Sequence, residues 1–305
     1  MKIFDAQGTA ALLPYAALVD ALREAALGVA RRQIQCPLRQ VLPMQGGGLL
    51  LSMIAVGADL AVHKLVTVAP ANRERGLPTI QGQVSVWDAN TGAHMLSLDG
   101  ATVTGRRTAA LSMLGIVSLL PRRPKRLRIL GTGTQALHHL QAAAQLFPAA
   151  QITVIGRTPE ASRKFFAEHA QSFVSLAPAH SAVIDQDIDE DIDVVIACTT
   201  SREPVYTEPA RAGRLIIAVG SFSPATAEIA AATVRDSVVY VDDPDGARHE
   251  AGDLIQAGVD WARVRPISQA FGRAEVANEA VLFKTVGNAA WDLAAARVAV
   301  AGSGA

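Results

Sequence analysis

The segment from Leu127 to Ala136 constrains this chain more than any other. It reads Leu-Arg-Ile-Leu-Gly-Thr-Gly-Thr-Gln-Ala, a short apolar strand followed by Gly-x-Gly-x-x-Ala and the start of a helical pattern. Gly131 permits a tight turn, Gly133 lets the backbone approach a pyrophosphate, and Ala136 is small enough for close helix–strand packing. The helix N-terminus then offers N–H groups and a positive dipole end to phosphates. The glycine pattern alone is a weak signal, but here it opens an alternation of strands and helices. Apolar runs at Leu127–Leu130, Ile152–Ile155, Val194–Cys198, Leu215–Val219 and Val238–Val241, with a shorter one at Val264–Ile267, predict strands. Helical patterns follow Gly133, follow Pro159 and start from Ala225. Continuously apolar strands belong to a parallel sheet covered on both faces. A Rossmann dinucleotide-binding domain is the expectation.

The tip of the second strand selects the dinucleotide. An NAD site places Asp or Glu there for the ribose 2′-hydroxyl. This chain has Gly156-Arg157-Thr158 instead. Arg157 suits a 2′-phosphate and Thr158 adds a hydroxyl, so NADPH is expected, with NADH less favoured. Gly131, Thr132, Gly133, Thr134, Gln135 and Ala136 form the expected phosphate loop. Thr199, Thr200 and Ser201 follow one strand, and Val219, Gly220 and Ser221 follow the next. Ligands of open α/β sheets bind at such carboxyl ends, so these residues are expected to line the nicotinamide ribose and ring.

The first hundred residues have another character. Leu18, Leu22, Ala25 and Val29 mark one face of a helix, started near Pro14. Short β runs follow at Gln40–Met44, Leu49–Ile54, Lys64–Ala69 and Val84–Asp88, with a hairpin turn at residues 88–92 leading into His94–Leu98. A helix is predicted from Arg107 to Leu120, ended by Pro121 and the basic link 122–126. A last Ala-rich helical segment, Val281–Val300, is expected to return to the first domain. The expected division is 1–115 plus 286–305 for a mixed α+β substrate-binding and dimerisation domain, with the Rossmann domain, 116–285, inserted into it.

Composition narrows the function classes. The chain has 305 residues, half of them hydrophobic, and 28 Lys+Arg against 28 Asp+Glu. Zero net charge argues against a nucleic-acid binder, which needs a basic stripe. The longest apolar stretch, Ala109–Leu120, falls short of the about 20 residues of a membrane span. No secretory signal is read, and Cys36 and Cys198 form neither a metal-ligand spacing nor a disulfide framework, so a cytoplasmic setting is expected. Two acidic groups are read as solvated loop or turn and cap residues: Asp185, Asp187, Asp189, Glu190, Asp191 and Asp193, and Asp242, Asp243, Asp245, Glu250 and Asp253. No metal is expected.

Taken together, Pro37–Pro43, His63–Thr67, Asp99–Ala110, Leu130–Gly133, Ala218–Ser221, Glu250–Asp253 and Phe283–Gly287 resemble the ornithine cyclodeaminase/μ-crystallin family, in family order over nearly the whole chain. The resemblance implies a homodimer and a substrate α-carboxylate held beside a nicotinamide. It places the carboxylate-binding and catalytic cations on Arg39, Lys64 and Arg107. Lys64 lies between apolar runs, where a buried charge needs a partner. Arg107 opens an apolar helix, against the dipole. The resemblance also implies that Thr108 contacts the cofactor phosphates and that Gln81 lies near the substrate. One position departs from the family pattern. Ornithine cyclodeaminases carry an acid–base Asp where this chain has Phe222, and a phenyl ring transfers no proton. An apolar wall suits a substrate without a distal amine. The expected reaction is therefore reduction of a small cyclic imino acid, Δ1-pyrroline-2-carboxylate to L-proline or Δ1-piperideine-2-carboxylate to L-pipecolate. Ser221, Ser223 and water are the candidate proton donors. The alternatives are an alanine-dehydrogenase-like enzyme, an ornithine cyclodeaminase and a non-catalytic NADPH-binding protein.

Overall fold

A computed structural model of the chain describes residues 2–178, 192–272 and 278–304. The chain divides into two compact units, Met1–Leu111 with Asn288–Ala305, and Ser112–Gly287.

The first unit opens with β1 (Lys2–Ile3), α1 (Ala6–Leu12) and α2 (Tyr15–Ala30). It continues through β2 (Gln40–Pro43), β3 (Leu49–Val56), β4 (Leu60–Val68), β5 (Ile80–Asp88) and β6 (His94–Asp99). The sheet order is β1-β6-β5-β4-β3-β2, antiparallel except for β1 against β6. In β4 the even positions Leu60, Val62, Lys64 and Val66 are buried, the alternation of a strand with one covered face. The helix α3 runs Gly100–Leu119. It begins seven residues before the expected start, so Arg107 lies inside it and does not oppose its dipole. Residues 102–105, Thr-Val-Thr-Gly, are poor helix formers by propensity. Tertiary contact overrides that: Gly100 abuts the backbone of Gly82 and Gln83 so closely that a Cβ would lie 2.8 Å from the Gly82 carbonyl carbon. Asp99 closes the end, accepting a hydrogen bond from the Thr102 N–H at 2.7 Å.

The second unit holds β7 (Arg126–Leu130), α4 (Thr134–Leu146), β8 (Gln151–Ile155), α5 (Pro159–His169), β9 (Leu176–Ala177), β10 (Val194–Ala197) and β11 (Leu215–Ala218). After them come α6 (Ala231–Arg235), β12 (Val238–Val241), α7 (Pro244–Glu250), α8 (Gly252–Ala257), β13 (Arg265–Pro266) and β14 (Val281–Lys284). The sheet is parallel throughout, in the order β13-β12-β14-β11-β10-β7-β8-β9. β10, β11 and β14 are buried at every position. Two expectations are corrected. Val281–Lys284 is a central strand between β11 and β12, not the start of the last helix. Helix from Ala225 is delayed to Ala231, because residues 223–230 spend their polar groups on the neighbouring loops.

The last helix, α9 (Ala289–Ser303), returns to the first unit and packs on α2, β3 and β4. Asn288 starts it, accepting from the Ala290 N–H at 2.8 Å. Among the described residues no helix is long and apolar enough to cross a membrane. Of the first acidic group, residues 185–191 lie outside the described residues. Asp193 departs from the solvated-loop expectation: it is buried and holds the basic link, accepting from Arg122 at 2.8 Å and from the Lys125 and Arg126 N–H groups at 2.6 and 3.0 Å. In the second group, Asp243 caps α7 and Asp242 accepts from the Val286 and Gly287 N–H groups at 2.9 Å each. Asp253 is different and belongs to the site.

Candidate active site

In the first unit the buried charged side chains among the described residues are Lys64, Arg107 and Asp292. Asp292 sits in the first turn of α9 and is fully buried. Lys64 Nζ reaches both of its oxygens, at 2.9 Å to Oδ1 and 2.8 Å to Oδ2. Arg107 Nε lies 3.5 Å from Oδ1, an ionic contact without hydrogen-bond geometry. Asp292 is thus the partner that a buried Lys64 requires, and sequence reading did not find it. The Ala-rich run around it looked like plain helix, although a lone carboxylate amid Ala and Leu is itself a signal. Two buried cations share one carboxylate, which leaves one positive charge in excess. Burial pulls the Lys64 ammonium down to about 8, Asp292 opposes this, and the charges of Arg107 and Arg39 add to it. Arg39, half-buried just before β2, therefore belongs electrostatically to the same group. Thr108 is buried next to Arg107 in α3. Gln81 is exposed, pairs with Thr67 across the sheet and donates to the Pro78 carbonyl at 3.5 Å. It stands three residues from Val84, the partner of Lys64, so a regular pleat turns it to the opposite face.

The phosphate loop of the second unit has the geometry an anion needs. Gly131 adopts φ +113°, and a Cβ there would lie 2.6 Å from the Cys198 carbonyl oxygen, so only glycine fits. A Cβ on Gly133, by contrast, would meet open space. Gly133 is the N-cap of α4, and no side chain caps that helix end among the described residues. The N–H groups of Thr134, Gln135 and Ala136 stay available to a ligand. Gln135 Oε1 is buried with no hydrogen-bond partner among the described residues. The glycine geometry and the uncapped helix end fit a pyrophosphate. At the tip of β8, Gly156 leaves no room for a side chain between Thr132 and Ala161. Arg157 beyond it is exposed, and Thr158 caps α5, accepting from the Ala161 N–H at 3.2 Å. The hydroxyl that was expected for the cofactor thus also serves the helix.

The ends of β10 and β11 are joined by Glu228, a fully buried residue outside the expected site. Its Oε1 accepts from the Thr199 N–H at 2.6 Å and the Thr199 hydroxyl at 2.9 Å. Its Oε2 accepts from the Gly220 N–H at 2.6 Å and the Ser221 N–H at 3.3 Å. Asp253, in α8, accepts from the Glu228 and Ile229 N–H groups at 2.6 and 2.9 Å. It does not cap its own helix. Its other oxygen pairs with Lys284 of β14 at 2.9 Å, and Lys284 donates to the Ser221 carbonyl at 2.6 Å. Thr200 is exposed, Ser201 and Val219 are half-buried, and Phe222 is 40 % exposed. The Ser221 hydroxyl is spent on the Thr226 carbonyl at 2.6 Å, which removes it as a proton donor. Among the described residues no group of three or more His, Cys, Asp or Glu is placed to hold a metal ion.

A buried cation group and an anion-ready glycine loop on one chain find counterparts among known proteins. The family model for the ornithine cyclodeaminase/μ-crystallin family matches residues 8–301. The chain is 50 % identical over 300 residues to Δ1-pyrroline-2-carboxylate/Δ1-piperideine-2-carboxylate reductase of Azospirillum brasilense, covering 98 % of this chain and 95 % of the relative. It is 51 % identical over 297 residues to Δ1-pyrroline-2-carboxylate reductase 2 of Burkholderia ambifaria, covering 97 % and 94 %. Among solved structures it is similar to Thermococcus litoralis Δ1-pyrroline-2-carboxylate reductase in complex with NADH and L-proline, with TM-score 0.88, 25 % identity and coverage of 99 % and 97 %. Motifs, fold and extent of match agree along the whole described length: the chain belongs to the ornithine cyclodeaminase/μ-crystallin family.

Proposed function

We propose that this protein is an NAD(P)H-dependent imine reductase that converts a small cyclic α-imino acid, Δ1-pyrroline-2-carboxylate or Δ1-piperideine-2-carboxylate, to the corresponding L-amino acid. The observation that carries this reading is the charge count in the first unit. Lys64 and Arg107 outnumber Asp292 by one, and one substrate carboxylate balances them. The near-half identity to reductases of such substrates points the same way. Arg107 and Arg39 hold the substrate carboxylate, whose two oxygens match a guanidinium. The bound reduced nicotinamide supplies the hydride for the imine carbon. Lys64 supplies the proton for the imine nitrogen. Its pull-down to about 8 makes it a better acid than an ordinary lysine, while Asp292 keeps it charged at neutral pH. Phe222 offers no acid–base group for a second amine, which disfavours cyclodeamination.

NADPH is favoured over NADH because an exposed Arg157, and no carboxylate, stands at the tip of β8. Thr108, Thr132 and Thr134 add hydroxyl contacts to the phosphates. A homodimer is supported by the apolar side chains on one face of the first sheet: Leu42 (60 % exposed), Ile54 (45 %), Val56 (43 %) and Leu65 (37 %). No disulfide joins Cys36 and Cys198, which suits the cytoplasm. The test is loss of reduced-nicotinamide absorbance with each cyclic imine and with pyruvate plus ammonia, and release of ammonia and proline from ornithine in the presence of oxidised nicotinamide. Turnover confined to the cyclic imines supports the proposal. Faster turnover of pyruvate plus ammonia or of ornithine overturns it.

A further inference from the structure

Glu228 holds together two loops that come from different strands. Four donors converge on its carboxylate: the Thr199 N–H and hydroxyl after β10, and the Gly220 and Ser221 N–H groups after β11. Gly220 approaches Thr199 so closely that a Cβ would clash with the Thr199 backbone and lie 2.7 Å from Glu228 Oε1. The carboxylate is in turn fixed from behind. Asp253 holds its main chain, and Lys284 ties Asp253 to the Ser221 carbonyl. A buried carboxylate of this kind is costly, and a neutral amide or a plain turn would close a loop without it. Here both oxygens act as acceptors, each for two donors, a demand that a single amide oxygen does not meet.

We propose that Glu228 is a positioning residue for the nicotinamide half of the cofactor, its ionised carboxylate setting the spacing of the 199 and 220–221 loops. The inference rests on the reading that these loops take the nicotinamide end. An ionised carboxylate accepts on both oxygens. A protonated one turns one oxygen into a donor, which then faces N–H groups it cannot serve. Burial pushes Glu228 up to about 7, Lys284 opposes this and Asp253 adds to it. The loop staple therefore titrates near neutrality and loosens as pH falls through about 7. A further ionisable group near it, the Cys198 thiol just after β10, is pushed well above its ordinary value by burial, with the Glu228 charge adding to it, and stays neutral throughout.

Binding measurements test this without turnover. NADPH and 2′-phospho-ADP-ribose, which lacks the nicotinamide, are titrated calorimetrically into the full chain and into Glu228→Gln. The expected result is that Glu228→Gln weakens NADPH by about tenfold or more and the fragment by less than about twofold. In the unmodified protein the NADPH-to-fragment affinity ratio is expected to fall between about pH 8 and about pH 6, and Glu228→Gln is expected to lose that dependence. Equal weakening of both ligands, or none, overturns the proposal. Where Glu228→Gln fails to fold, the pH dependence of the ratio in the unmodified protein decides alone, and a flat ratio overturns it. Failure of imine turnover leaves these affinities readable, so the two proposals fail separately.

Discussion

Replacing Asp292 by Asn keeps the side-chain volume and removes the carboxylate that Lys64 and Arg107 share. Breaking a buried pair from one side costs about 3–5 kcal/mol, because the remaining charge is left uncompensated. Lys64 has an escape that Arg107 lacks. Burial already holds it down to about 8, and Asp292 is the largest influence in the other direction. Without Asp292 the folded protein sheds the Lys64 proton at a lower pH still, whereas the unfolded chain keeps it to about 10. Over that window the unfolded state binds the extra proton, so the stability of Asp292→Asn rises with pH, by about 1.4 kcal/mol per unit. The unmodified protein gains in the same way only above about 8. The destabilisation is therefore largest in acid and shrinks between about pH 6 and about pH 8, leaving the share that belongs to the non-titrating Arg107. Urea unfolding of both proteins at pH values across this range measures it. A gap that is constant with pH, or below about 1 kcal/mol at pH 6, refutes the reasoning. The double variant Lys64→Met/Asp292→Leu removes the Lys64 charge with its partner and is expected to regain the Lys64 share of the stability, not the Arg107 share, and none of the turnover.

Three further outcomes are expected. Arg39→Ala and Arg107→Ala each lower kcat/KM for the cyclic imine by about 2–5 kcal/mol, and a loss under about threefold in both refutes the carboxylate clamp. Arg157→Ala lowers the NADPH-to-NADH ratio of kcat/KM by about tenfold, the scale of one charge-assisted contact, and an unchanged ratio assigns selectivity elsewhere. Ile54→Asp places a charge on the apolar face of β3 and is expected to convert a dimer to monomer in light scattering after gel filtration; a persistent dimer locates the interface on another surface.

The central sheet was readable because its strands announce themselves. Val238–Val241 is a strand at the predicted residues, and β7, β8, β10 and β11 differ from prediction by a residue at one end. Parallel strands buried on both faces leave continuous apolar runs, which need no tertiary knowledge to see. Val281–Lys284 has the same apolar character yet was merged into the following helix, since a short apolar run abutting an Ala-rich segment carries no period of its own. The break lay in Gly287-Asn288, where Asn288 starts α9. The start of α3 was missed for the opposite reason: Thr102, Val103 and Gly105 have weak helix propensity, and packing against Gly82 decides. In the site, the glycines and cations could be named because their chemistry is local. The pairings of Asp292 with Lys64, Glu228 with Thr199 and Asp253 with Glu228 could not, because they span 228, 29 and 25 residues and no periodicity links them.

The bond between Lys64 and Asp292 also sets an order of events during synthesis. Lys64 leaves the ribosome 228 residues before the carboxylate that neutralises it. At ordinary elongation rates of about 5–20 residues per second, that interval is roughly 10–45 s. Throughout it the first sheet has neither α9 nor a counter-ion for a charge destined for its core, and every strand of the second unit is made before that interval ends. The central unit can close while the flanking one waits for its final helix. A nascent chain stalled before α9 would expose β3 and β4 together with a hydrated Lys64, a state in which the ammonium, kept in water, holds the apolar face open until its partner arrives.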